Sequence, residues 1–542
     1  MEPAGFVERL IPGPPSGSAI RHPPFARACL LVALACWRVA PAVAQERGPI
    51  VDSIIVRTYD VFDDSEAAAN ALFGVVNALR FRTRPEIVRR ELLFRAGAPY
   101  DAVRVAETAR NLRAIGIFRD VSIDTTRIEG RLAVVVETRD GWSTQLQLNG
   151  RSTGGEFTWS AGLIETNFLG TANVVGAVYR DDPDRTALTL RGRVNRAFGT
   201  RSLLDVAYDD RSDGEVGGWV VGVPFRALSD RHAVDLVGVV GRERVLQFRD
   251  GVRVDSTERR VSFHRLQGAF APRAGPDGYV RLSLAAQVKR EEYVAYGAGG
   301  QNVPDSLSGA FGAAVEWLHP RFTVLTHYNG FAREEDVDLS TRVRVTAWVA
   351  PSGLGYARSG VGPQIEARSG VALGRSFLRA RLEANQLFLS DRLDSARVRG
   401  SVTLAVLPIG RQATVLHLQA EARRGLPPGS EIDLGHGLGP RAFRSHAFTG
   451  TRGAWGTLEH RWFAWDELLG VIGVGVAGFL DYGGAWYGDQ PRRLGGDVGL
   501  GLMIGATRAS GTNVGRVDVA YRFGDGWTGN RWIVSVGRSL IY

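Results

Sequence analysis

At 542 residues the chain is long enough for several domains, and 67 glycines, 12 tryptophans and 13 tyrosines beside 44% hydrophobic residues fit a β-rich protein with many turns. A net charge of +9 invites a nucleic-acid reading, but Lys289 is the sole lysine and the arginines are scattered along strand faces with no clustered basic patch, so nucleic acid is not the expected partner.

The first element reads as an export signal. Arg21 and Arg27 precede the apolar run Ala28 to Trp37, and Ala42-Val43-Ala44 offers a small-residue cleavage site before Gln45, so residues 1–44 are taken as a signal peptide. Its removal takes away Cys29 and Cys36, leaving the exported chain no disulfide to form. The run is shorter than the ~20 residues a spanning helix needs. The longest later apolar run, Leu468 to Leu480, has 13 residues and is broken by Gly470, Gly473, Gly475 and Gly478. A membrane crossing by this chain would use strands.

Residues 49–140 read as a small α+β domain. Ile50 to Arg57 is β-branched and strand-like, and Ser65 could cap a helix whose Ala68, Leu72, Val75, Val76 and Leu79 recur at helical spacing. Thr83-Arg84-Pro85-Glu86 combines a capping-box pattern with proline at the first helical position. Asp101 opens a helix with Val105, Thr108 and Leu112 on one face, ending at Gly116, and strands follow over Phe118 to Asp124 and Arg131 to Glu137. The wording Arg89-Arg90-Glu91-Leu92, Gly97, Tyr100-Asp101, Leu112 and Gly116-Ile117-Phe118-Arg119-Asp120-Val121 resembles a POTRA domain, with an extra helical insertion over 59–82. The resemblance implies an exposed strand edge that binds client chains by strand addition.

From Trp142 to Tyr542 the pattern changes to alternation with period two. Leu378, Ala380, Leu382 and Ala384 alternate with Arg379, Arg381, Glu383 and Asn385, and Val517, Val519, Tyr521 and Phe523 oppose Arg516, Asp518 and Arg522. Roughly twenty such stretches occur. A soluble sandwich also alternates, but here charges mark the polar face of strand after strand and no second class of segment is left to cover the apolar one. That points to a transmembrane antiparallel β-barrel whose apolar face meets lipid while its polar face lines a wet lumen.

Between these strands lies a Gly/Pro-rich loop, 425–452, carrying Arg441-Ala442-Phe443, with Phe479, Asp481 and Gly483 on a later strand. From the residues alone Arg441 could equally be a solvated loop residue and Asp481 an ordinary lumen residue. Five strands follow the loop: 453–466, 468–487, 494–508, 512–524 and 530–542.

Together these features resemble the BamA/TamA and two-partner secretion superfamily of outer-membrane barrels. The resemblance implies a sixteen-stranded barrel behind a periplasmic POTRA domain. It matches Arg441-Ala442-Phe443 to an Arg-Gly-aromatic loop motif with alanine for glycine, and Phe479, Asp481 and Gly483 to the strand motif whose aspartate receives the arginine. It further implies a lateral gate between the first strand, with Leu146 and Leu148, and the last, with Trp532, Val534, Gly537 and the terminal Tyr542. The expected partners are the outer-membrane bilayer, unfolded client polypeptides and periplasmic proteins that meet the POTRA-like domain. The alternative is a passive pore or surface-antigen barrel.

No enzyme is expected. Gly473-Val474-Gly475-Val476-Ala477-Gly478 satisfies a dinucleotide-binding pattern, but Phe479, Asp481, Gly483 and Gly484 follow where a helix would have to begin. The histidines from His232 to His460 lack metal-ligand spacing, and no cofactor is implied.

Overall fold

A computed structural model describes residues 48–538 apart from 79, 154–155, 297–305, 357, 391, 426, 428, 436–437 and 510–513. The expected signal peptide, 1–44, and Tyr542 therefore lie outside the described residues.

Strands β1 (Val51–Tyr59), β2 (Phe118–Ile128) and β3 (Arg131–Asp140) form a sheet of order β1-β3-β2, parallel between β1 and β3 and antiparallel between β2 and β3. Four helices connect β1 to β2: α1 (Asp64–Ala69), α2 (Ala71–Ala78), α3 (Pro85–Glu91) and α4 (Ala102–Ile115). The core is Val51, Val88, Leu112, Ile117, Phe118, Val134 and Val136. Helix α4 starts where the Asp101 side chain accepts from the Val103 and Arg104 amides, and stops where Gly116 takes a left-handed φ of 79°.

Two local expectations fail here. The single helix from Ser65 is two helices, and its cap is Asp63, whose side chain accepts from the Glu66 amide while Glu66 reaches back to the Asp63 amide. Thr83 makes no cap for α3, because tertiary contacts claim it: its amide donates to Asp140 and its hydroxyl accepts from Asn167 of the barrel.

The rest of the chain closes into one antiparallel barrel of 20 strands among the described residues. The expected sixteen is thereby corrected. Each of the twenty alternating stretches must satisfy a wet and an apolar face of its own, so the local pattern counted strands more faithfully than the resemblance did. The first strand, β4 (Thr144–Thr153), starts two residues later than expected and pairs with β5 (Glu156–Phe168). The last five strands are β23 (Arg452–Leu468), β24 (Ile472–Trp486), β25 (Gly495–Ala506), β26 (Val514–Gly524) and β27 (Trp532–Arg538). With an even number of antiparallel strands, β4 begins and β27 ends at the mouth that carries the N-terminal domain.

Side chains alternate as the period-two pattern requires. Leu146, Leu148, Trp532, Val534 and Leu500 point outward and are exposed, whereas Glu459, Arg461, Asp481 and Arg522 are buried inside.

The N-terminal domain is seated on its mouth by α4. Asn111 donates to the Arg226 carbonyl at 3.1 Å, Glu107 accepts from the Leu228 amide at 2.7 Å, and Arg113 grips Asp336 with two bonds of 2.6 and 2.8 Å. Burial pushes the Glu107 carboxyl above its usual range, against the pull of the Leu228 amide.

Candidate functional site

The lumen is occupied from both mouths. From the far mouth the 425–451 loop folds inward, braced by a two-stranded pair, Ile432–Leu434 with Phe448–Gly450. Its apolar side packs Ile432, Leu434, Phe443, Ala447 and Phe448 against Trp455 and Ala485 of the wall. From the domain side the connection after β13 (Ser306–His319) forms a hairpin of β14 (Phe322–Leu325) and β15 (Glu335–Asp338). Its Leu325, Tyr328, Val337 and Leu339 pack on Phe377, Ala405, Leu407, Ala413 and Val415, while Phe331 packs on Phe463, Ala477, Met503 and Val514.

The two insertions meet the same patch of wall on β23 to β26. Arg441, 5% exposed, donates through Nε at 2.5 Å and Nη2 at 3.1 Å to the two oxygens of Asp481, a bidentate pair, and through Nη1 at 2.9 Å to Glu459. Its guanidinium also lies 3.9 Å from the centre of the Phe479 ring. Glu459, fully buried, additionally accepts from Arg461 at 2.6 Å and Arg516 at 2.7 Å. Arg461 in turn donates to the Tyr328 carbonyl at 2.8 Å. A hydrogen-bonded path thus runs from the outer loop through Arg441, Glu459 and Arg461 to the inner hairpin.

The alanine that stands where the resemblance has glycine is accommodated simply. Ala442 has no positive φ, its amide donates to Asp497 at 3.1 Å, and its methyl packs with Phe479, Ala520 and Ile533. Gly483 is needed for close approach, because a Cβ there would lie 2.4 Å from the Ala454 carbonyl oxygen.

The chain is similar in fold to several solved structures. Similar structures are CdiB from Escherichia coli (12% identity, 93% of this chain, 92% of that one, TM-score 0.47), CdiB from Acinetobacter baumannii (10%, 91% and 74%, 0.44) and BamA from Haemophilus ducreyi lacking POTRA domains 1-3 (11%, 90% and 84%, 0.38). Neither a family model nor a curated protein matches the chain.

The expected site residues separate into two places. Arg441, Phe443, Phe479, Asp481 and Gly483 lie together at the loop's seat. Leu146, Leu148, Trp532 and Val534 face outward on β4 and β27, which are neighbours where the barrel closes, and Gly537 sits opposite Arg516 on β26. Sequence reasoning assigned no role to Glu459, Arg461, Asp497, Arg516 or Ile533, and it missed the inner hairpin. One signal was available: the stretch between His319 and Thr341 breaks the period-two alternation on both sides of it while carrying Leu325, Tyr328 and Phe331.

At the far mouth His446 of the loop sets Nε2 2.9 Å from Asp184 and Nδ1 against Asp433, with its ring stacked on Phe248. Burial alone would lower its pKa, but the two carboxylates outweigh that and push it up to about 9.

Proposed function

We propose that this chain assists insertion or translocation of polypeptides at the outer membrane, with a POTRA-like periplasmic domain over 49–140 and a lateral gate where β27 meets β4. The observation that carries the reading is the combination of two insertions folded into the lumen, one from each mouth, with a closure at which β27 lies beside β4. The insertions narrow the axial path for a polypeptide, whereas the closure is the place where a sheet edge can be offered to a client. The outer edge of β2, which has no strand partner among the described residues, supports the same reading for the domain. Arg441 bound to Asp481 serves as the lock that keeps the outer loop seated.

The two inward-folded insertions favour this reading over the alternative of a passive pore. Crosslinking β4 to β27 through paired cysteines tests the gate: the reading expects the locked barrel to lose activity, and full activity of a locked barrel would remove the gate. Depleting the protein and measuring other outer-membrane barrels tests the wider role, with unchanged levels counting against general assembly.

A further inference from the structure

The 59–82 stretch, which the resemblance leaves unexplained, is tied to barrel turns on both sides of the β27–β4 closure. Phe62 and Phe73 stack with ring centres 4.0 Å apart, and Arg508, in the turn after β25, lies over Phe62 and pairs with Glu66 at 2.9 Å. Arg508 also donates to the Gly470 carbonyl in the turn after β23, while Gly170, in the turn after β5, lies against the Arg82 carbonyl and, just past the stretch, accepts from the Arg84 amide. These contacts use the inner face of the stretch. Its outer face leaves Leu72 72%, Val75 52% and Phe81 61% exposed.

The turns on the same mouth carry a matching peculiarity. Leu169, Phe198 and Leu469 each precede a left-handed glycine and are themselves left-handed, with φ of 54°, 55° and 54°. They are 42%, 98% and 80% exposed. In water such tight turns favour Asn, Asp or Gly, which tolerate this backbone and stay solvated. A bulky apolar side chain there is both strained and unsheltered.

We propose that Leu72, Val75 and Phe81, with Leu169, Phe198 and Leu469, sit in the phospholipid leaflet on the domain side, making the helical stretch an interfacial membrane anchor beneath the closure. The proposal rests on the reading of the barrel as membrane-spanning. The apolar surface is continuous with the barrel's outer wall, because exposed Trp465 and Leu468 lead into Leu469, and exposed Phe168 leads into Leu169. Exposed Arg82 and Arg84 follow Phe81, where cationic side chains would meet lipid phosphates.

The test uses the full chain with Cys29 and Cys36 replaced by serine, a polarity-sensitive fluorophore on Val75→Cys, Phe198→Cys, Leu500→Cys or Arg131→Cys, and vesicles of phosphatidylethanolamine and phosphatidylglycerol with brominated acyl chains. The labels at 75 and 198 are expected to lose about half their fluorescence to the brominated lipid, as is the label at outward-facing Leu500, while that at Arg131, at the start of β3, stays unquenched. Quenching at 500 without quenching at 75 overturns the anchor and leaves the spanning barrel standing. Absence of quenching at 500 removes the spanning reading and the anchor with it.

Discussion

Arg441 illustrates how one buried cation can hold a long loop. Ordering the loop costs conformational entropy residue by residue, and the offset comes from the apolar pack around Phe443 and Phe448 together with charge-assisted bonds to Asp481 and Glu459. Because Asp481 is fully buried, Asp481→Ala leaves the guanidinium short of its bidentate partner and is expected to cost about 3 to 5 kcal/mol. Limited proteolysis within 425–451 reads the result, and unchanged protection would show that the apolar pack suffices. His446 adds a pH-dependent contribution. Its folded pKa is raised above the ordinary value of 6.5 to about 9, so the stabilisation is complete below about pH 6.5 and is lost as pH rises through about 9. Loop protease resistance should fall across that window in the native chain and stay flat in His446→Gln.

At the scale of elements, the inner hairpin is held mainly by packing. Phe331 is 5% exposed among Phe463, Ala477, Met503 and Val514, so Phe331→Ala should destabilise by roughly 3 to 5 kcal/mol and speed amide exchange over 320–340. The barrel strands were legible because alternation is written locally, residue by residue, in segments such as Leu378 to Asn385. The hairpin was not, since its Tyr328 and Phe331 find their partners on strands far along the chain and follow no period. The helical insertion was half legible. Its spacing is helical, yet Leu72 and Val75, two of the recurring apolar positions, are exposed, because periodicity reveals an apolar side without saying what covers it. The arginines around Glu459 were illegible for a related reason: Arg441 lies in a loop and Arg516 on another strand, and only the register brings them to one carboxylate.

At the scale of the molecule, the insertions, the wall and the domain form one connected body. Arg333 beside the hairpin donates to the Phe118 carbonyl of β2, and Asn167 and Thr83 join the barrel to the start of α3. The path from Arg441 through Glu459 and Arg461 to Tyr328 is expected to make the two plugs interdependent. By thermodynamic reciprocity, whatever factor the seated outer loop contributes to holding the inner hairpin, the hairpin returns to the loop. Glu459→Gln, which keeps the shape and removes the shared charge, should therefore raise amide exchange in 328–335 and in 438–448 together. A client or ligand that dislodges either plug would therefore be felt at the opposite mouth of the barrel.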